Sequence, residues 1–525
     1  MISVSDAWRS LHHRFILPES FIEIDCAVTE QGVQETATAA GINEAVYSNI
    51  ENTTSFSNVN DTHKYATLET NLWALNGTRN ILPDTEPYNN VGYVSDVENS
   101  ASVTLTLPAV HTVEIPGVTV IWSGEFGEYP DSFTVTAKNG DTVVAETTIT
   151  NNREQKSLVD LELSNYDSVT VTIHDWCLPN RRPRIDRLYL GHVLTFTKSD
   201  IISYEHEQYG DLLSGELPKN SVTFTLDNTN GLWNPNNPVG FERYLTERQP
   251  LNVRYGLDVN GTVEWIKAGT FYLSEWYAPA NGLEAHFVAR DLFEFLINEY
   301  NTSAYYDSLA NLVESAIYDM LPQGASVVTN EVLSNYYAEY VGDSTAAEMV
   351  QKAANAGGCI LRYDREGVLH VEPLNTDPAD YRIPLSLSYS HPEVTLSKPM
   401  KSISIGYGED KPYEMEVSTR GEKQTVDNSF ISSEAQAAQI AGWVRGILET
   451  RKTVSGEFRA DPRLDLFDII EVESKYGMIS PVVITNVKYT FNGSFRGSYT
   501  GRVLNSNQVK LGKYVLGRDS LGWGE

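Results

Sequence analysis

Apolar and polar residues alternate with a period of two in a series of short stretches in the first half of the chain. Apolar side chains occupy every second position in the stretches 103–107, 118–122, 133–137 and 169–173, most often with threonine between them. This alternation is typical of strands that turn one face to a core and the other to solvent. Short strands at this spacing predict an antiparallel β-sandwich over residues 62–192.

Two local signals surround these strands. The dipeptide Asn139-Gly140 predicts a tight hairpin, because both residue types accept the positive φ that such a turn requires. The stretch 29–61 is rich in Thr, Asn, Ser, Ala and Glu with weak periodicity, and it predicts a linker or a loosely packed excursion.

Alternation of apolar and polar residues also occurs outside the sandwich. It recurs in the N-terminal stretch 15–24 and in the stretches 222–226, 251–255, 271–276 and 286–289. The simplest interpretation is one barrel-like domain built from residues 1–27 and 193–300. The sandwich would be inserted into one of its loops, since insertions at surface loops cost little free energy.

Helical patterns are few. Apolar positions from Leu309 to Met320 recur at i, i+3 and i+4, and Pro322 is expected to end that helix. Thr345 and Glu348 have the spacing of a capping box, which predicts a helix that ends at Gly357-Gly358.

A third helix is predicted from about Ser433 to Leu448, with Gln436 at its third position. Trp443 and Ile447 lie on one side of it, four residues apart, and are expected to pack on a sheet.

The chain is therefore predicted to be mainly β, with two β-barrel domains, a small α/β module and an inserted β-sandwich of the jelly-roll type. The predicted boundaries are residues 1–61 for the first strands of barrel I and a linker, 62–192 for the jelly roll, 193–300 for the rest of barrel I, 301–385 for the α/β module, 386–505 for barrel II with one helix, and 506–525 for a C-terminal arm.

The C-terminal arm carries a five-residue repeat in which Leu511, Leu516 and Leu521 are each followed by glycine. A period of five suits neither a helix nor a strand. Two interpretations remain open: a terminal coil, or an extended arm that docks on a partner chain through these three leucines.

Composition narrows the class of protein. The 525 residues include 39 Lys and Arg against 70 Asp and Glu, a formal net charge of −31, which argues against a surface that grips nucleic acid. The three cysteines, Cys26, Cys177 and Cys359, indicate no disulfide framework. The sequence shows neither an 18-residue apolar run nor a signal peptide.

Signals for catalysis are weak. The sequence has no phosphate-binding loop, no nucleophile elbow and no His pair spaced for zinc. Glu125 and Glu128 could in principle act as a glycosidase pair, but a solvated loop is the favoured interpretation. We expect no catalytic residue, no cofactor and no metal, and therefore no enzyme.

Aromatic and basic residues of the sandwich offer a possible glycan site. Trp73, Trp122 and Trp176 could stack on sugar rings, although tryptophans in a sandwich usually belong to its core. Arg181 and Arg182 belong to the sole basic cluster, which could instead form an ion-pair network at the end of the sandwich.

Three stretches of the sandwich resemble the discoidin-like, or galactose-binding-like, jelly roll. They are Trp-Ala-Leu-Asn-Gly-Thr at 73–78, Gly-Tyr-Val-Ser at 92–95 and Arg-Ile-Asp-Arg-Leu-Tyr-Leu-Gly at 184–191. The resemblance implies the fold of this domain and says little of a ligand.

The rest of the chain resembles the baseplate or tail-tip hub proteins of tailed phages and related contractile injection systems. The resemblance lies in residues 285–292, in 345–367 with its Asp-Arg-Glu-Gly turn, in 461–472, and in the order of barrel, α/β module and second barrel. It implies a structural protein in which three chains, each with two barrels, close a ring between the hexameric tail tube and a threefold tip or spike.

The same resemblance implies a location and partners. The protein would be made in the host cytoplasm and act at the virion tail tip as a homotrimer. Its partners would be a tail tube or distal tail protein, spike, tip or fibre proteins and the tape-measure protein, while DNA passes through the lumen without specific binding. The jelly roll would project outward and contact neighbouring tail proteins or a host cell-surface glycan.

Two other classes remain open. A glycoside hydrolase with a sugar-binding module would need a cleft with paired carboxylates outside residues 62–192. A carbohydrate-binding receptor-binding protein is expected to show fibrous repeats, of which the sequence has only the five-residue repeat of the arm.

Overall fold

The computed structural model covers the whole chain and is described here over most of it. The described residues are 2–12, 14, 18–28, 33–45, 48–54, 92–97, 101–123, 127–237, 240–279, 282–297, 299–302, 306–321, 326–337, 342–377, 381–408 and 412–504. Trp73 and the leucines of the C-terminal arm lie outside these ranges.

The described part of the chain is mainly β, as the sequence predicts. The helices are α1 Asp6–His12, α2 Val33–Thr36, α3 Phe293–Leu296, α4 Leu309–Met320, α5 Ala346–Gly357 and α6 Glu434–Leu448. The strands are β1 Ser20–Val28, β2 Thr38–Ile42, β3 Tyr93–Val94, β4 Ala101–His111, β5 Ile115–Ile121, β6 Pro130–Asn139, β7 Thr142–Thr150, β8 Lys156–Leu163, β9 Tyr166–Trp176, β10 Arg184–Ile185, β11 Arg187–Leu190, β12 His192–Thr197, β13 Ile201–Tyr209, β14 Lys219–Asp227, β15 Pro250–Val259, β16 Thr262–Tyr277, β17 Glu284–Arg290, β18 Glu299–Thr302, β19 Ser326–Thr329, β20 Gly342–Thr345, β21 Ile360–Tyr363, β22 Val368–Glu372, β23 Arg382–Ile383, β24 Glu393–Leu396, β25 Met400–Ile405, β26 Tyr413–Glu416, β27 Glu422–Val426, β28 Lys452–Phe458, β29 Ile469–Glu473, β30 Ile479–Phe491 and β31 Phe495–Val503.

Within the described ranges, no helix has the length and apolar character that crossing a membrane requires.

The chain divides into two compact units. The first unit comprises Met1–Ile24, Thr197–Asn230 and Val253–Glu525, and the second comprises Asp25–Phe196 and Gly231–Asn252. The domain boundaries predicted from the sequence stay a prediction.

The second unit contains two antiparallel sheets that share one core. Their strand orders are β2-β4-β9-β6-β7 and β11-β5-β8. Alternate residues of both sheets, such as Val103, Phe133, Val171 and Val118, are buried in the same apolar cluster. The period of two is therefore confirmed in the stretches 103–107, 133–137 and 169–173, where buried side chains alternate with half-buried or exposed ones. It does not hold for β5, in which residues 115–120 are all buried.

The turn between β6 and β7 is the predicted hairpin. Gly140 has a φ of +57°, a region that a residue without a Cβ enters at little cost. Strand β2 lies in the stretch 29–61, for which the sequence predicted a linker or a loosely packed excursion. It pairs with β4, in a register that runs from Thr38 opposite Thr106 to Ile42 opposite Ser102. The discoidin-like assignment of this unit stays a prediction.

The main sheet of the first unit includes strands from both predicted barrels. Its order from β15 is β15-β16-β17-β14-β13-β30-β31-β28-β24, and β29 pairs with β30 and β23. Among the described strands this order does not close on itself, so two closed barrels are not observed. The reason is the antiparallel pairing of β13 with β30, from Tyr204–Phe491 to Tyr209–Asn486, which satisfies two strand edges at once.

Three helices of the first unit pack around a second apolar core, and all three were predicted. The side chain of Ser308 caps α4, and that of Ser433 caps α6 by accepting from the N–H of Gln436. Thr345 and Glu348 form the complete capping box of α5, and Gly358 ends that helix with a φ of +67°.

The sheets β19-β22-β21 and β26-β25-β27 lie beside these helices. The prediction for the last helix is also confirmed, because Ile447 belongs to the same apolar cluster as Ile469 of β29 and Val483 of β30, and Trp443 packs against that cluster.

Candidate functional site

The sharp turn between β21 and β22 aims an arginine into the first unit. Oδ1 of Asp364 accepts hydrogen bonds from the N–H groups of Glu366 and Val368, each at 2.9 Å. Gly367 completes the turn with a φ of +81°. As a result, Arg365 lies within the protein, with 4% of its surface exposed.

The Arg365 guanidinium joins three separate stretches of the chain. Its Nε donates to Oδ1 of Asp465 at 2.7 Å. Its terminal nitrogens donate to the carbonyl oxygens of Lys267 at 2.9 Å, Pro462 at 2.7 Å and Leu464 at 3.1 Å. A guanidinium carries five N–H donors in a fixed plane. One side chain can therefore fix the positions of strand β16 and of the 461–468 loop relative to the turn.

The 461–468 loop is itself held by side chains. Asp461 accepts from Nε of Arg463 at 2.9 and 3.0 Å, and both residues are buried. The Tyr489 hydroxyl donates to the carbonyl oxygen of Leu464 at 2.8 Å. The backbone of Phe467 has a φ of +66°, an uncommon conformation that the surrounding contacts maintain.

A second polar group lies on the neighbouring strands of the same sheet. His206 is fully buried, with its two ring nitrogens 2.7 Å from the Tyr255 hydroxyl and 2.8 Å from Oδ1 of Asn220. The Tyr204 hydroxyl lies 2.8 Å from that of Tyr255. Burial lowers the pKa of His206 to about 4, so the imidazole is neutral near pH 7.

The residues that follow β17 reach the same region. Oδ1 of Asp291 accepts from the N–H of Phe293 at 3.0 Å, and burial raises the pKa of Asp291 to about 7. The Phe293 ring lies 4.8 Å from that of Tyr363, and Leu292 shares the core with both.

The three stretches whose sequences resemble tail hubs are thus joined in space. Residues 285–292 meet the β21–β22 hairpin through Leu292, and Arg365 of that hairpin binds the 461–472 stretch through Asp465. We call this set of contacts the Arg365 cluster. Its charged groups are paired or hydrogen-bonded to backbone, an arrangement that fixes a fold.

The predicted glycan residues of the second unit take part in internal contacts. Trp122 is fully buried, and its Nε1 donates to the Ser157 hydroxyl at 2.8 Å. The Trp176 ring lies edge-on to that of Trp122, with 6.4 Å between centroids. Arg182 is half-buried, and its carbonyl oxygen accepts from Arg184. Sugar binding by these residues stays a prediction.

Glu128 was interpreted as part of a solvated loop, and that interpretation is wrong. Its carboxylate is 2% exposed and forms an ion pair with Arg181, while Nε1 of Trp176 donates to it at 2.8 Å. Arg184 lies 3.9 Å from the same carboxylate. In the structure, Arg181 and Arg184 of the basic cluster therefore form ion pairs with Glu128, as the second interpretation of this cluster predicted. The burial of Glu128 could not be predicted from the sequence, because its partner Arg181 is 53 residues away in the chain.

Among the described residues, no three His, Cys, Asp or Glu side chains are placed to share a metal ion. Four of the predicted site residues lie outside the described residues, so their roles stay predictions: Trp73, Leu511, Leu516 and Leu521.

The sequence analysis did not identify Arg365 and Asp465 individually, although both lie in the stretches that carry the hub resemblance.

No family model and no curated protein matches this chain. Among solved structures, it is similar to the 43 kDa tail protein of prophage MuSo2 from Shewanella oneidensis, at 12% identity and a TM-score of 0.40, over 61% of this chain and 97% of that one. A tail protein from Neisseria meningitidis aligns at 12% identity and a TM-score of 0.42, over 59% of this chain and 94% of that one. The prophage tail protein gp18 from Listeria monocytogenes aligns at 10% identity and a TM-score of 0.39, over 59% and 90% of the two chains. All three of these solved structures are described as tail proteins, and two of them come from prophages.

Proposed function

We propose that this chain is a structural hub of a phage tail or a related injection system. The observation that carries the proposal is the Arg365 cluster. The three stretches that resemble tail hubs lie far apart in sequence, and in the structure they contact one another through Leu292, Arg365 and Asp465. A buried polar network whose members are hydrogen-bonded makes a fold rigid, and this suits a scaffold.

The assembly we propose is a ring of three chains at the virion tail tip. The ring would join the tail tube or a distal tail protein to spike, tip or fibre proteins, with the tape-measure protein and then DNA in its lumen. Symmetric closure of this kind pairs strand edges that a single chain leaves open.

The charge of the chain suits such a duct. Each chain carries a formal net charge of −31. Carboxylates that line the lumen would repel DNA phosphates, so that DNA slides through without adsorbing.

Native mass spectrometry of the purified chain, alone and with its tail tube protein, tests the assembly. A trimer in either sample is the expected result. A monomer in both samples that cleaves glycans would overturn the proposal and favour the glycoside hydrolase.

Location and charge can be tested on virions. Antibodies against the chain are expected to label the tail tip in electron micrographs, and deletion of its gene is expected to give particles without a tip. A cryo-electron microscopy map would show whether the wall that faces DNA is acidic; a neutral or basic wall would contradict the duct.

A further inference from the structure

Strand β24 is an open edge of the main sheet in the first unit. It pairs with β28 on one side, in a register that runs from Glu393 opposite Ser455 to Leu396 opposite Lys452. Among the strands of the described ranges, none pairs with its other side. An edge strand with unpaired backbone groups is a template on which another strand can be added.

Val394 and Leu396 carry the unpaired backbone groups of this edge. The N–H of Ser397 donates to the carbonyl oxygen of Arg451 at 2.9 Å, across the gap between the two chain segments. Because the direction of these groups alternates from one residue to the next along a strand, the N–H and C=O groups of Val394 and Leu396 point away from β28. The edge therefore offers two donors and two acceptors to a strand laid against it.

The side chains of the same two residues form an exposed apolar surface. Val394 is 53% exposed and Leu396 is 63% exposed. Val394 lies opposite Val454, which is 4% exposed, so this face of the sheet is covered at β28 but not at β24. Edge strands usually carry charged or polar residues, as β27 does at the edge of another sheet of this unit, with Glu, Lys, Gln and Thr in its first four positions. The apolar edge of β24 indicates that a further element covers it.

The C-terminal arm, which lies outside the described residues, has the composition of such an element. Residues 508–518 have the sequence Gln-Val-Lys-Leu-Gly-Lys-Tyr-Val-Leu-Gly-Arg. Their valine and tyrosine residues favour a strand. The stretch holds three cations and no anion, whereas the one ionised side chain of β24 is that of Glu393. The arm is therefore attracted to an acidic chain and to this edge.

The arm also starts close enough to reach the edge. Arg502, near the end of β31, lies opposite Thr453 of β28, and Leu396 lies opposite Lys452 of the same strand. Strands β31 and β24 therefore end on the same side of the sheet, and the open side of β24 is three strand spacings from β31, about 14 Å. Five extended residues, 505–509, span about 16 Å, so the residues that follow can run antiparallel to β24.

We propose that the C-terminal arm of the same chain pairs with β24 as an added antiparallel strand. Its backbone would bond to the N–H and C=O groups of Val394 and Leu396, and its apolar side chains would cover theirs. The short tether favours this arm over the arm of a second copy, because it holds the arm at a high effective concentration. The added strand would keep the sheet edge from pairing with another chain. The proposal does not depend on the hub function.

Hydrogen exchange of the full-length chain, followed by mass spectrometry, tests the pairing. In the variant Leu511→Asp, Leu516→Asp the arm loses its apolar contacts, and amide exchange in the peptide that contains β24 is expected to become about tenfold faster or more. The variant Leu521→Asp, Trp523→Asp, outside the stretch 508–518, is the matched control and should leave this exchange unchanged. The peptide that contains β27 should exchange alike in all three proteins, which excludes general unfolding. Equal exchange of β24 in wild type and the first variant would overturn the proposal.

Cross-linking distinguishes the arm of the same chain from the arm of a second copy. Leu396→Cys and Leu511→Cys are introduced together with Cys177→Ser, since the other two native cysteines are buried. A short bismaleimide added to dilute protein is expected to link the two new cysteines within one chain. The pair Thr425→Cys, Leu511→Cys, with one cysteine on β27, is the control and is expected to link more slowly. Links between chains, or equal rates for the two pairs, would overturn the proposal.

Discussion

Arg365 and Asp465, one hundred residues apart in the chain, meet at 2.7 Å between Nε and Oδ1. The arginine side chain is 3% exposed and the aspartate 18%, so solvent screens their attraction only weakly. Three backbone carbonyl oxygens share the remaining donors of the guanidinium. A buried pair contributes little net stability compared with apolar residues, but removing one partner leaves an uncompensated buried charge.

Replacement of Arg365 by methionine is therefore expected to lower the free energy of unfolding by about 3–5 kcal/mol. The double variant Arg365→Met, Asp465→Leu is expected to lose less than the single variant, because no lone carboxylate remains. Urea denaturation followed by tryptophan fluorescence measures both. Arg362→Met, on strand β21 just before the turn that carries Arg365, is the control and should change the free energy by no more than about 0.5 kcal/mol. An equal loss in single and double variants would show that the ion pair is not the cause.

The pKa of His206 predicts a loss of stability in mild acid. Burial holds the pKa of the folded chain at about 4, below the ordinary value of 6.5, so the unfolded chain takes up the proton first. The contribution of His206 to stability should therefore fall as the pH drops from about 6.5 to about 4, by up to about 1.4 kcal/mol per pH unit.

The free energy of unfolding between pH 4.5 and 7 measures this slope. His206→Gln removes this proton uptake and is expected to lower the slope relative to wild type by up to about 1.4 kcal/mol per pH unit, even if it lowers stability at pH 7. His391→Gln, at an exposed histidine, should leave the slope as it is. A His206→Gln variant with the wild-type slope would contradict the assignment.

Asp291 predicts the opposite dependence on pH. Burial raises the pKa of its carboxyl group from 3.8 to about 7, so the folded chain binds this proton more tightly than the unfolded chain. The contribution to stability is complete below pH 3.8 and is lost as the pH rises to about 7.

Asp291→Asn is neutral at every pH and keeps an oxygen to accept from the N–H of Phe293. The variant is therefore expected to match wild type at pH 4.5 and to be more stable at pH 8, by about 1 kcal/mol or more. Thermal melting at the two pH values measures the difference, with Asp291→Ala as the control that removes the acceptor. Equal melting temperatures of wild type and Asp291→Asn at pH 8 would show that the buried carboxylate carries no cost.

Glu128 is expected to stabilise the second unit through Arg181. Glu128→Gln keeps an acceptor for Nε1 of Trp176 but leaves the buried guanidinium without its counter-charge. The expected loss is about 3–5 kcal/mol, seen as a lower melting temperature of the second unit. Glu154→Gln, at an exposed position, is the matched control. A melting temperature of Glu128→Gln as high as that of this control would contradict the role.

The capping box of α5 predicts a smaller effect. Thr345→Ala removes the acceptor for the N–H of Glu348 and is expected to cost about 1 kcal/mol, while Thr345→Ser should restore most of it. Urea denaturation measures both variants. A serine variant as unstable as the alanine variant would indicate that the threonine methyl group, rather than the cap, matters.

Local structure could be predicted wherever one short pattern carries it. The capping box at Thr345, the helix from Leu309 to Met320 and the turn at Gly140 are set by neighbours within a few residues, and the structure has all three. The burial of Glu128 could not be predicted, because nothing within its loop indicates that Arg181 lies against it.

The sequence by itself determined the strand periodicity, the positions of the three long helices and the acidic balance of the chain. Tertiary structure alone decided that β13 pairs with β30, that Arg365 binds Asp465, and that β24 lies at an edge of the main sheet. The physical reason is that periodicity and caps depend on contacts between near neighbours, whereas register, edge pairing and buried ion pairs form between residues far apart in sequence. Only the folded chain brings those residues together.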